Sequence, residues 1–137
     1  RSVLTASAQG CACLWSREGE IQWLLSGHEE SYMRSATFSP DSNYMVTASA
    51  DCSVRIWRLP PSKNGSPDFE RALMGHEGWV NTAIFSNDGE FILTAAADKT
   101  ARLWRASNGW CINKYVGHYA YVRSAVFSPD ESKALTA

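Results

Sequence analysis

Two sets of side chains in this sequence have the types needed for nucleophilic chemistry. Each contains a histidine, a threonine and an aspartate in the same order: His28, Thr47 and Asp51, then His76, Thr94 and Asp98. A hydroxyl beside an imidazole oriented by a carboxylate can attack an acyl or phosphoryl centre. Repetition argues against that reading. A nucleophile site is built once, whereas this set recurs along the chain and falls between segments that read as buried strands. A metal reading fails for a related reason. The three histidines, His28, His76 and His118, fall one per repeat and are not clustered. Cys11 and Cys13 are two residues apart, unlike the C-x₂-C spacing of zinc sites. No glycine-rich phosphate loop is present, since Gly65-Ser66 and Asn108-Gly109 read as turn punctuation. No metal and no cofactor is expected.

Composition narrows the partners. The chain has 137 residues, 45% hydrophobic and 20% charged, which is ordinary globular composition. Its 13 basic and 14 acidic residues leave a formal charge of -1, so nothing points to nucleic acid or an anionic membrane. No apolar run approaches the roughly 18 residues of a membrane span. The four cysteines, Cys11, Cys13, Cys52 and Cys111, read as free thiols of a reducing, intracellular compartment, cytoplasm or nucleus.

The elements that must hold these residues come from an internal repeat. Thr47-Ala48-Ser49-Ala50-Asp51-Cys52-Ser53-Val54-Arg55-Ile56-Trp57 reappears as Thr94 to Trp104 and as Thr5 to Trp15. A further copy starts at Leu135-Thr136-Ala137. From Thr5 to Thr47 is 42 residues, from Thr47 to Thr94 is 47, and from Thr94 to Thr136 is 42. The longer middle interval holds a Pro-, Gly- and Ser-rich insertion at 59–68. A second recurring block starts with Gly27-His28, Gly75-His76 and Gly117-His118 and runs to Phe38-Ser39, Phe85-Ser86 and Phe127-Ser128. A turn rich in Pro, Asn, Asp and Gly follows each.

Segments between turns are short and rich in Val, Ile, Thr, Phe, Tyr and Trp, so they read as strands, four per unit. In the second unit they are expected near 33–39, 43–49, 53–58 and 69–74. The first strand is apolar on both sides and is expected to be covered on both faces. The last is more polar and is expected on the outside.

Taken together, the Gly-His dipeptide, the Phe-Ser-Pro-Asp turn and the Asp-x-Ser/Thr-x-Arg-Ile/Leu-Trp strand resemble the WD40 repeat family. The resemblance covers almost the whole chain outside 59–68. It implies an all-β fold of four-stranded antiparallel β-propeller blades. The implied divisions are a partial blade at 1–26, repeats at 27–74 and 75–116, and a partial repeat at 117–137. Since a closed propeller has about 4–8 blades, an open arc of an incomplete propeller is expected, with apolar edges able to associate.

The resemblance also implies a structural hydrogen-bond network. It would join His28, Thr47, Asp51 and Trp57 in one unit and His76, Thr94, Asp98 and Trp104 in the next. In the first unit Gln9 stands where the Asp would be. None of Trp15, Trp57 and Trp104 is followed by Asp; Ser16, Arg58 and Arg105 follow them.

With chemistry set aside, function falls to the surface. Where the Gly-His loop meets the first strand stand Tyr32, Trp79 and Tyr121, with Arg34, Asn81 and Arg123 two positions on. Aromatic residues with Arg are the composition of interaction hot spots, and the positions resemble the family's propeller-face binding sites. The competing reading packs these aromatics against neighbouring loops. The function expected is a scaffold or adaptor binding protein or peptide partners. The alternative is a regulatory or sensor domain of a larger protein, such as one with an NTPase or kinase domain. An enzyme ranks last.

Overall fold

A computed structural model describes residues 3–28, 31–61 and 65–137. Arg1 and Ser2 of the expected first unit, and 62–64 of the expected insertion, lie outside the described residues. Four antiparallel sheets follow one another along the chain. The first holds β1 (Val3–Ala6), β2 (Cys11–Trp15) and β3 (Ile21–Ser26). The second is β4 (Met33–Phe38), β5 (Tyr44–Ser49), β6 (Val54–Arg58) and β7 (Asp68–Leu73), in that spatial order. The third repeats it with β8 (Val80–Phe85), β9 (Phe91–Ala96), β10 (Thr100–Arg105) and β11 (Cys111–Val116). The last pairs β12 (Ala125–Phe127) with β13 (Ala134–Thr136). The arrangement is an open set of blades, of which the second and third have four strands, and no described helix is long and apolar enough to cross a membrane.

The blades stack because strand residues alternate between faces. Along β5, Met45 turns to the first sheet and packs with Ala12, Leu25, Met33 and Trp57. Val46 and Ala48 turn the other way and pack with Val80, Ala83, Ile92 and Trp104 of the third sheet. In β9, Leu93 and Ala95 join Ala101, Val122 and Ala125 on the side of the last sheet. The core is thus three slabs, one between each pair of neighbouring sheets. Polar ties stitch the same seams: Met33 N–H to Ser7 O at 3.2 Å, Thr37 Oγ1 to Ala83 O at 2.9 Å, and Asn81 Nδ2 to Val122 O at 2.7 Å.

The first strand has neighbouring sheets on both faces, β4 lying between β1 and β8, yet the second strand is the more deeply buried. In β5 and β9 every residue after the first is buried, while β4 is mostly half-buried and Arg34 is exposed. The cause is position in the sheet. β4 and β8 are edge strands, with one side unpaired, whereas β5 and β9 have strands on both sides and sheets on both faces. The outermost strand is the wettest, and β11 is exposed throughout.

Within each full blade a hydrogen-bonded chain ties the incoming loop to the two central strands. His28 Nδ1 lies 2.7 Å from Asp51 Oδ2 and its Nε2 lies 2.8 Å from Thr47 Oγ1. Trp57 Nε1 donates to the same Thr47 Oγ1 at 3.0 Å. The third blade repeats the set: His76 to Asp98 at 2.7 Å, His76 to Thr94 at 2.7 Å, and Trp104 to Thr94 at 2.9 Å. Asp51 and Asp98 also accept from Ser53 and Thr100, which closes the turn after β5 and β9. That turn places Cys52 and Lys99 at φ 68° and 69°, where the first sheet uses Gly10 at 78°. In the first sheet Trp15 still donates to Thr5, at 2.8 Å. In the last, His118 Nε2 lies 2.7 Å from Thr136 Oγ1.

Proton placement follows from the surroundings. Burial disfavours the imidazolium of His28 and outweighs the bond and charge of Asp51, so its pKa lies below the ordinary 6.5. His76 behaves the same way beside Asp98. Burial pushes the Asp98 carboxyl up, but bonds from His76, Thr100 and the Glu77 N–H overcome it and bring the pKa to about 2. Asp51 is lowered as well, the bonds from Ser53 and His28 overcoming burial. A neutral imidazole facing a carboxylate must carry its proton on Nδ1. Its Nε2 then accepts from the threonine hydroxyl, which accepts in turn from the indole N–H.

The Gly-His glycine belongs to the same arrangement. A Cβ on Gly27 would run into the Trp57 ring, and one on Gly75 would meet Arg102 and then Trp104. A Cβ on Gly117 would meet nothing within 4 Å.

Two outcomes are expected of urea unfolding on the full chain. Thr47→Val keeps the shape but strands the Trp57 N–H and His28 Nε2, and should cost about 1–3 kcal/mol. Thr5→Val, in an exposed position serving Trp15 alone, should cost less than about 0.5 kcal/mol. Equal losses would show that the buried node has no special weight. For pH, the unfolded histidines bind protons before the folded ones do, so stability should be flat well above pH 6.5 and fall as pH drops through and below 6.5. The carboxylate contribution, present above the unfolded Asp value of 3.8, should be lost only as pH falls further, toward 2 for Asp98. A urea midpoint that does not move between about pH 7.5 and 5 would contradict this assignment of protons.

Candidate binding face

The threonine hydroxyls cannot act as nucleophiles here. Thr47 and Thr94 are fully buried, and each hydroxyl already serves an imidazole and an indole. Among the described residues no group of three or more His, Cys, Asp or Glu is gathered that could hold a metal ion. The turn carboxylates Asp41, Asp88 and Asp130 are occupied by the Ser39, Ser86 and Ser128 hydroxyls, whose bonds lower their pKa values.

The buried chain instead positions what lies above it. Immediately after the pinned histidine, the loop runs to an aromatic residue whose carbonyl is held by the turn that carries the aspartate. Ala50 N–H donates to Tyr32 O at 2.9 Å, and Ala97 N–H donates to Trp79 O at 2.8 Å. The side chains stay out in solvent: Tyr32 is 58% exposed, Trp79 52% and Tyr121 65%.

Two positions on, the strand carries an irregularity. Met33 pairs with Ser49 and Ser35 pairs with Ala48, so Arg34 is the extra residue of a β-bulge. Asn81 is the extra residue in β8, between Val80 opposite Ala96 and Thr82 opposite Ala95. Arg123 and Ser124 N–H both donate to Ala137 O, at 2.6 and 3.1 Å, the same two-against-one pattern. A bulge inserts one residue and shifts the alternation of faces by one, so that Met33, Ala36 and Phe38 all pack toward the first sheet across it. The three bulges bring Arg34, Asn81 and Arg123 to one place with the three aromatics.

All six residues line a single open cleft of about 540 Å³, together with Ala8, Met33 and Ala97. The Arg34 guanidinium lies 5.7 Å from the centre of the Trp79 ring, a cation–π contact. Asn81 differs from the others, since its amide is committed to Val122 O across the seam. Ala8, Met33 and Ala97 escaped the sequence reading. Their signal was available: Ala8 and Ala97 hold corresponding places in the Thr-to-Trp repeat.

A larger concavity, about 760 Å³, opens between the turns after β4 and β8. Its charges are already matched, Arg105 with Glu90 at 3.9 Å and Arg71 with Glu70 at 3.7 Å. It presents no comparable group of exposed aromatics.

Comparison with known proteins agrees with this geometry. The profile of the family described as "WD domain, G-beta repeat" matches residues 19–58, 68–105 and 109–137. A WD repeat-containing protein of Synechocystis sp. is 46% identical over 52 residues, 38% of this chain and 3% of that protein. Pre-mRNA-processing factor 19 homolog 2 of Arabidopsis thaliana is 40% identical over 63 residues, 45% of this chain and 12% of its own length. The probable cytosolic iron-sulfur protein assembly protein 1 of Chaetomium globosum is 37% identical over 67 residues, 45% of this chain and 15% of its own. The chain therefore matches only a small part of the length of each of these relatives. With repeats matched across most of its residues and blades that carry the repeat's hydrogen-bonded chain, the protein belongs to the WD40 repeat family.

Proposed function

We propose that this chain is a scaffold or adaptor module that holds a protein or peptide partner in the cleft bordered by Tyr32, Trp79, Tyr121, Arg34 and Arg123. The observation that carries the reading is the exposure of three aromatic rings around one cleft whose backbone is pinned from below. Keeping large apolar rings in water is unfavourable unless something covers them part of the time. The rings are presented by a rigid frame, so little ordering cost remains for binding. The fold is typically a non-catalytic interaction module. Relatives named for pre-mRNA processing and for iron–sulfur protein assembly support a scaffold role over an enzymatic one. A partner carried on the same polypeptide would make the module a regulatory domain and would use the same cleft.

Affinity capture from cell extract with the full chain tests the reading. The combined change Arg34→Ala, Trp79→Ala and Arg123→Ala should lose the co-purifying proteins while the urea midpoint and circular dichroism stay as in the unchanged protein. Arg58→Ala with Lys114→Ala, on exposed positions of β6 and β11, should retain them. Equal capture by both variants would remove the cleft from the binding surface.

A further inference from the structure

We infer that the cleft selects an acidic peptide segment, whose Asp or Glu carboxylates pair with Arg34 and Arg123 while an adjacent apolar side chain lies among Tyr32, Trp79 and Tyr121. This rests on the reading of the cleft as a docking site and adds the chemistry of the occupant.

The basis is how this protein treats its other arginines. Arg55 and Arg102 lie 4.0 Å from Asp51 and Asp98, Arg58 and Arg71 each lie 3.7 Å from Glu70, and Arg105 lies 3.9 Å from Glu90. Five of the six other described arginines thus have an internal carboxylate. Arg34 and Arg123 have no described carboxylate at such a distance, and no described Asp or Glu lines the cleft between them. Both are exposed. Each is brought to the cleft by a bulge that departs from regular pairing. The Trp79 ring takes one side of the Arg34 guanidinium and leaves its N–H donors for a ligand. A guanidinium is weakly hydrated and its fork of donors matches a carboxylate in two parallel bonds. Asn81, between them, bonds across the seam and does not compete.

The overall charge is -1, with 13 basic and 14 acidic residues, so there is no general basic excess. That separates a peptide from a nucleic acid. Nucleic-acid binding draws on many phosphate contacts along a basic surface, whereas two guanidiniums beside three rings suit one or two carboxylates next to an apolar anchor.

The test is selection of random short peptides displayed on phage against the full chain, followed by solution affinities of the enriched sequence as a synthetic peptide. Enrichment of Asp or Glu next to an aromatic or aliphatic residue is expected. Binding of that peptide should weaken by about tenfold or more with Arg34→Gln/Arg123→Gln, and equally when its acidic residues become Gln or Asn. It should also weaken as salt is raised. A neutral or basic consensus that still needs Trp79 overturns the acidic inference and leaves the docking reading standing. A consensus indifferent to Trp79→Ala and to the arginine pair overturns both, as does failure to enrich any peptide. Far tighter binding when phosphoserine replaces the acidic residues, or displacement of the peptide by a single-stranded oligonucleotide, overturns the inference in favour of a phosphate ligand.

Discussion

One buried hydroxyl in each full blade carries the structure. Thr47 Oγ1 accepts the indole N–H of Trp57 and faces His28 Nε2, and Thr94 does the same for Trp104 and His76. Each of these groups is polar and out of water, so each is costly unless paired. The pairing is closed within one blade but reaches three separate places: the loop arriving from the previous sheet, the second strand and the third strand. Removing the hydroxyl leaves two partners stranded at once. Its satisfaction therefore selects one position for the incoming loop, and the loop in turn selects where Tyr32 and Trp79 stand.

The same face of the blade explains why the Trp is large. Trp57 belongs to the apolar slab shared with the first sheet, and Trp104 to the slab shared with the second. The hydrogen-bonded chain thus lies on the side of each blade that meets its predecessor. Polar satisfaction and apolar packing meet at one ring, which donates at its edge and fills a seam with its face. Glycine before the histidine is the corresponding concession, since a methyl group on Gly27 would occupy the space of the Trp57 ring.

Much of the fold was legible because it rests on local chemistry. The four strands expected at 33–39, 43–49, 53–58 and 69–74 are observed at 33–38, 44–49, 54–58 and 68–73. Alternating apolar residues and Asp- or Gly-bearing turns mark such limits directly. The residues of the cleft were legible by type and spacing, as Tyr-x-Arg, Trp-x-Asn and Tyr-x-Arg. The bulges were not, because an extra residue in one strand is defined only against its partner strand. In regular strands Tyr32 and Arg34 would simply share a face. The burial of β5 over β4 was also hidden, since both are apolar and only sheet order separates an edge from a centre. Nor could spacing show that Asn81 is committed to Val122, a contact made across two sheets.

The bulges have a consequence for how such a protein changes over time. A side chain at position 34, 81 or 123 is set apart from the pairing of its own strand, while the hydroxyl-centred chain beneath it is untouched by what that side chain is. Folding therefore places weak demands on Arg34 and Arg123. The frame is copied from repeat to repeat, and what stands at the extra position of each strand can vary without disturbing it.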